Sequence, residues 1–356
     1  MTQTRIINCH THSFTLSHVP SEYPFHYAKH FKRRPKLTRW VARVARWFLD
    51  SDEEERLDRL LRFQEEGNQR RQRDILDSVM RHYPGSTRFV VLPMDMELSG
   101  YGEAEENIEA QHRELYDLTK LDRYKGRVIP FASVHPDRPG AFEIIRRAVD
   151  DYGFRGLKIY PKLGYAPDHP VLMQQIYPFI VGRGLPVMTH CSRGGFKHLK
   201  WTQDQADAVT RPQAYINVMK EFPEMRLCLA HFGGQQDWAD YVNEGYDPDD
   251  PKAEENNWQM AIRGMITSGD YPNLYTDISY TIFHFAEFIP FLRLFLRGDD
   301  QGTKRLRERV LFGSDFYMTR QEEMSERAVC FSLRNDLGED TFRQIADLNP
   351  NRWLTG

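Results

Sequence analysis

The chain has 356 residues, 40% of them hydrophobic and 28% charged, the balance of a soluble globular protein with enough apolar side chains for a sizeable core. Its 48 basic and 51 acidic residues leave a formal charge of −3, so neither nucleic acid nor an anionic membrane is called for as a partner. No apolar run reaches the ~18 residues of a transmembrane helix, and the opening "RIINC" lacks the ~7–15-residue apolar core of a signal peptide; a cytoplasmic location is the expectation.

Eight short runs rich in β-branched and aromatic residues follow one another: "TRIINCHTH" (4–12), "RFVVLPMDM" (88–96), "RVIPFASVH" (127–135), "FRGLKIYP" (154–161), "LPVMTHCS" (185–192), "RLCLAHFGG" (226–234), "NLYTDISY" (273–280) and "RVLFGSDFY" (309–317). Most are near-continuously apolar, as strands buried on both faces should be. Between them lie amphipathic segments such as "AFEIIRRAVDDYG" (141–153) and "QAYINVMKEFP" (213–223), several stopped by Gly or Pro. Strand and helix alternating in this way predict an α/β fold, a TIM-type (β/α)8 barrel in a single domain over 1–356, with a doubly wound open sheet as the alternative. A barrel needs about 250 residues, so the surplus is expected in insertions. The largest is a helical insertion after strand one, at about 18–87, placed to act as a lid or a subunit contact; another runs through 237–258. The basic segment at 29–46 and the acidic run Asp50–Glu55 read as solvated faces that balance each other, and Trp40 and Trp47, seven apart, as packing positions.

Residues two apart on a strand share a face, so His10 and His12 can converge on one ion from strand one. Alone, His-x-His is a weak signal. Strand five, however, ends in Thr189-His190, strand six in Ala230-His231 and strand eight in Ser314-Asp315, while strand four carries Lys158. In a barrel every strand end opens onto the same mouth, which brings imidazoles, a carboxylate and an amine to one place. Such donors suit Zn²⁺, and also Mn²⁺, Fe²⁺ or Co²⁺. Lys158 fits beside a cation only if it is neutral or modified, a neutral amine adding CO₂ to give a carbamate that bridges two metals; otherwise it pairs with a substrate carboxylate. The four cysteines, Cys9, Cys191, Cys228 and Cys330, contain no Cys-x-x-Cys pair and read as free thiols. Cys9 and Cys191 adjoin histidines of interest, but the neighbour of an inward strand residue points outward.

The ordered set "NCHTH", "GFRGLKIYPKLGY", "PVMTHCSRGG", "LAHFGG", "LFGSDF" and the closing "NPNRWLTG" resembles the amidohydrolase superfamily, close to its amidohydrolase 2 branch, which also holds decarboxylases similar to aminocarboxymuconate-semialdehyde decarboxylase. The resemblance implies that His10, His12, His190 and Asp315 ligate a divalent metal, most simply zinc, as one or two ions. It implies that His231 binds a second metal or orients the attacking water, and that Lys158 matches the carbamylated lysine of two-metal members. Asp315 then serves as general base and acid. The expected activity is hydrolysis of an amide, ester or lactone of a small carboxylated substrate. Metal-dependent decarboxylation of an aromatic or enoic acid is the alternative, since the ligand set does not separate the two.

Around the mouth, Arg193 is a candidate carboxylate clamp. Tyr160, Lys162, Tyr165 and His284 are further substrate-contact candidates, and Asp95 a candidate for holding a ligand histidine's second nitrogen. A homo-oligomer, at simplest a dimer, fits the length of the insertion.

Overall fold

The structure, a computed structural model, describes residues 5–24, 61, 64–244, 252–284, 286–316 and 326–356. Most of the insertion expected at 18–87, with its basic segment and Trp40 and Trp47, lies outside them, as does 245–251 of the 237–258 segment. Among the described residues no helix is long and apolar enough to cross a membrane.

Among the described residues, nine strand segments run in chain order: β1 (Ile7–Thr11), β2 (Arg88–Val91), β3 (Val128–Pro130), β4 (Ala132–Ser133), β5 (Leu157–Ile159), β6 (Val187–Thr189), β7 (Leu227–Leu229), β8 (Leu274–Asp277) and β9 (Val310–Leu311). All pair in parallel, β1-β2-β3 in one sheet and β4 through β9 in the other. β3 and β4 are halves of one expected strand, parted only at Phe131, whose amide still bonds the Val91 carbonyl at 3.0 Å. At the other seam the Cys9 amide bonds the Phe312 carbonyl at 2.8 Å and the Asp315 amide bonds the His10 carbonyl at 2.9 Å. The eight runs read from the sequence are thus the eight staves of a parallel barrel. Each ladder is shorter than its run because the last residues of the run leave the sheet to form the mouth.

One face of the strands fills the lumen: Ile7, Cys9, Val90, Phe131, Met188, Cys228, Tyr275 and Leu311 form a single cluster, closed below by Trp353 and Leu354 of the final helix, Asn349–Thr355. The opposite face, with Phe89, Val91, Leu157, Val187, Leu227, Leu274 and Val310, packs on the helices in a second and larger core. The helix Ile108–Thr119 shows how the shell is specified. The Asn107 side chain caps it by accepting the Ala110 amide, and Ile108, Gln111, His112, Leu115 and Leu118 are its buried stripe, a spacing of three and four that faces the sheet.

β1 departs from strict alternation. Asn8 pairs with Phe89 and Thr11 with Val91, so three steps on β1 match two on β2, the mark of a bulge. The extra residue lets adjacent side chains serve the same interior: Cys9 packs in the lumen and the His10 ring still reaches the head of the barrel. The expectation that Cys9 points away from its histidine neighbour is corrected on this point. Its thiol is nevertheless no nucleophile, since burial raises its pKa well above the ordinary range, as it does for Cys191 and Cys228, and the thiolate is the reactive form.

Candidate metal centre

The backbone is strained where the staves end. His231, Phe232, Tyr280 and Asp315 all hold positive φ, at 68°, 45°, 58° and 59°, a region non-glycine residues seldom occupy and one that concentrates at functional sites. These turns aim side chains that a regular strand would direct elsewhere.

His10 lies at the centre. Its Nδ1 bonds Asp277 Oδ2 at 2.8 Å, and its Nε2 stands 3.4 Å from Asp315 Oδ1. The His12 Nδ1 bonds the Leu92 carbonyl at 2.8 Å, and its Nε2 is 3.2 Å from the same Asp315 oxygen. A carboxylate and a carbonyl only accept, so each Nδ1 carries a proton and Nε2 is the nitrogen left to ligate an ion. Burial, then the charge of Lys158, pulls the His10 pKa down to about 3, which keeps that ring neutral. Two imidazole nitrogens and a carboxylate oxygen therefore face one another in a buried place, and His10 Nε2 has no hydrogen-bond partner. That arrangement is repulsive unless a cation sits among the three atoms, and the donor set is one that divalent zinc, manganese, iron or cobalt accepts.

Asp277 was not singled out in the sequence. Its Oδ1 accepts the His231 amide at 2.9 Å, the Ser279 amide at 3.0 Å and the Ser279 hydroxyl at 2.5 Å. Burial works against its charge, but the His10 ring and these hydrogen bonds hold its carboxyl well below the normal range. The available signal was positional: a carboxylate at the C-terminal end of a barrel strand, "NLYTD". Among the described residues, His10, His231 and Asp277 form a second donor cluster and His18, Glu106 and Glu114 a third; in the second, His10 and Asp277 already share a hydrogen bond. Asp277→Asn is expected to lower metal affinity about 10- to 100-fold, measured by competition with a chelating dye; unchanged affinity would show that Asp277 does not orient His10.

The other expected site residues fall into place unevenly. The His231 ring is 4.9 Å from that of His10, with its Nδ1 3.0 Å from the Ser279 hydroxyl. His190 is adjacent but joins neither donor group. Its Nδ1 meets His231 Nε2 at 3.0 Å and its Nε2 the Gly194 carbonyl at 3.0 Å, so both nitrogens are spoken for. Tyr160 stacks on His190, with ring centroids 4.3 Å apart and planes 13° apart, and its hydroxyl accepts the Phe196 amide at 3.1 Å. A side chain at Gly195 would lie 2.3 Å from that hydroxyl, so glycine is required there. Lys158 is fully buried, and burial lowers its pKa to about 8 although Asp315 and Asp277 pull the other way.

Several candidates are engaged elsewhere. Arg193, expected as a substrate clamp, is held by Asp237 through contacts of 3.0 and 3.3 Å, donates to the Asn256 carbonyl at 2.7 Å and lies over the Trp258 ring. Its guanidinium pins the 192–197 loop to the segment after β7. Lys162 donates to the carbonyls of Arg193 at 2.5 Å and Gly194 at 2.9 Å, and the Tyr165 hydroxyl accepts the Tyr160 amide at 2.7 Å. Asp95 grips Arg138 and the His135 amide, not a ligand histidine; Leu92 and Asp277 do that work. His284 ends the helix Thr281–His284, and its side chain lies outside the described residues.

With the geometry in view, comparison with known proteins places the chain. A family model described as Amidohydrolase matches residues 7–355. No curated protein matches. Among solved structures, an uncharacterized TIM-barrel protein from Bordetella bronchiseptica is 18% identical, with 98% of each chain covered and a TM-score of 0.51. The 5-carboxyvanillate decarboxylase of Sphingomonas paucimobilis is 14% identical, with 99% of each chain covered and a TM-score of 0.54. That of Novosphingobium aromaticivorans, complexed with manganese and 4-hydroxy-3-methoxy-5-nitrobenzoic acid, is 12% identical, with 99% of this chain and 96% of that chain covered and a TM-score of 0.53. At these identities the likeness is one of fold, a TIM-barrel amidohydrolase.

Proposed function

This chain belongs to the amidohydrolase family, and from that premise we propose that it is a metal-dependent hydrolase which holds one divalent ion through His10, His12 and Asp315 and cleaves an amide, ester or lactone of a small carboxylated substrate. The observation that carries the reading is the convergence of His10 Nε2, His12 Nε2 and Asp315 Oδ1, at 3.4 and 3.2 Å, in a buried place. A divalent ion in that place supplies Lewis acidity, polarising a substrate oxygen and bringing the pKa of water down from 15.7 to about 7.

The chain's own residues do the rest. Asp277 and the Leu92 carbonyl fix the tautomers and planes of His10 and His12. Asp315 takes a proton from the attacking water at its carboxylate and returns it to the leaving group, as general base and then acid. His231, turned inward by its positive φ, is tied to Ser279 through Nδ1 and to His190 through Nε2 and holds its ring beside that of His10. The Tyr160 ring, stacked on His190, walls the site and limits the entry of bulk water.

A second reading, decarboxylation, is favoured by the rings above the site. Tyr23 lies 4.3 Å from Phe196 and Tyr101 lies 5.3 Å from it, and Phe196 is tied to Tyr160. This is a wall suited to a flat, conjugated acid, and two of the structurally similar proteins decarboxylate such an acid. In that case Asp315 takes a proton from water and hands it to the substrate carbon as CO₂ leaves. Metal analysis of protein purified without added metal is expected to give about one equivalent per chain. Less than about 0.1 equivalent, with no activity restored by Zn²⁺ or Mn²⁺, would defeat the reading. Turnover on a panel of lactones, esters and amides, run beside CO₂ release from aromatic and enoic acids, decides between hydrolysis and decarboxylation.

A further inference from the structure

We propose that Lys158 is the anion-binding group at the floor of this site and takes the carboxylate of a flat, conjugated substrate; this rests on the reading of His10, His12 and Asp315 as holders of a divalent ion.

Register places the lysine. Lys158 on β5 pairs with Met188 on β6, which pairs with Cys228 on β7, which pairs with Tyr275 on β8. Met188, Cys228 and Tyr275 all point into the lumen, and neighbours in a parallel ladder share their pleat, so Lys158 points there too. It stands level with Met188, one residue before Thr189 and two before His190, close enough for its charge to act on His10 and Asp315. Its side chain is fully buried, and among the described residues Nζ has no hydrogen-bond acceptor. A buried amine with nothing to donate to is costly, whereas two other cations among the described residues are committed: Lys162 to backbone carbonyls and Arg193 to Asp237. Lys158 is the cation the site keeps for something that enters it.

Charge balance points to an anion. Among the described residues, Asp277 and Asp315 supply two negative charges at the head of the barrel and Lys158 one positive charge. A divalent ion leaves the floor with a net positive charge in a low-dielectric place, which one carboxylate neutralises. The Tyr160 ring, 5.9 Å from Nζ, and the His190 ring stacked on it form a planar wall, so the carboxylate fits best on a planar body.

The test uses full-length, metal-loaded protein and two probes of one shape, benzoate and benzamide, titrated calorimetrically into wild type, Lys158→Met, Lys158→Gln and Lys158→Arg. Metal per chain is measured on the same samples, and carbon-13 NMR spectra are recorded after equilibration with labelled bicarbonate. Wild type is expected to prefer benzoate by about 10-fold or more, the worth of one charge-assisted hydrogen bond. The preference disappears in Lys158→Met and Lys158→Gln and persists in Lys158→Arg, with metal content equal in all. The two neutral variants guard against one that fails to fold. A benzoate preference that survives loss of the amine, or is absent from wild type, overturns the proposal. So does a carbamate resonance in wild type that vanishes together with the metal in Lys158→Met, because Lys158 is then a metal ligand. Wild type without metal counts against the ion reading alone, since the dependence of benzoate preference on Lys158 is still read from the same titrations.

Discussion

Asp315→Asn is expected to lose about 10²- to 10⁴-fold in kcat, the usual contribution of a positioned general acid–base group, and to retain less metal. The substitution is clean for a structural reason. Asp315 holds φ at 59°, and asparagine is among the few side chains that adopt this conformation readily. The backbone hydrogen bond from the Asp315 amide to the His10 carbonyl, at 2.9 Å, therefore survives. What changes is chemical: the amide has the same shape but no negative charge to offer between His10 Nε2 and His12 Nε2, and it cannot take a proton from water. Activity on the substrate found by the panel assay and metal per chain should fall together while the circular dichroism spectrum stays unchanged. Full activity in the variant would remove Asp315 from both of its assigned roles, whichever of the two reactions the protein performs.

The second large effect is on stability. Trp353→Ala is expected to destabilise the protein by about 3–5 kcal/mol, the range for emptying a buried aromatic position. Trp353 is fully buried, lies 5.4 Å from Phe131 ring to ring and donates its indole N–H to the Arg226 carbonyl at 3.3 Å, while Arg226 returns a hydrogen bond to the Trp353 carbonyl at 2.6 Å. It plugs the N-terminal end of the lumen, opposite the site, where the lumen residues cannot close over a void without pulling the staves inward. The denaturation midpoint measured in urea should drop with little change in slope. A loss below about 1 kcal/mol would mean that the lumen collapses around the missing ring. Because the effect acts from below, metal content of the folded variant should be kept, which separates it from Asp315→Asn.

Much of this molecule is legible in the chain itself. The eight apolar runs became eight staves because a strand buried on both faces has no polar residue to spare, and that composition is visible without a structure. His10, His12, His231 and Asp315 could be named because each ends such a run, and strand ends share one mouth in a barrel. The second half of the ligand arrangement was harder to see. Asp277 also ends a run, but one whose single carboxylate has no repeated partner in the sequence, and its contact with His10 spans 267 positions. Arg193 and Asp95 look like site residues by their neighbours in sequence, yet their partners, Asp237 and Arg138, are fixed by where loops from different staves meet.

Sequence alone determined the order of elements and the barrel, since periodicity and composition are local properties that burial enforces residue by residue. Tertiary structure decided which side chains are free. The β1 bulge that turns both Cys9 and His10 inward, the positive φ that aims His231 and Asp315 and the missing acceptor at Lys158 all depend on distances between staves. A side chain's chemistry is set by what it faces, and what it faces is settled only when the ring of strands closes.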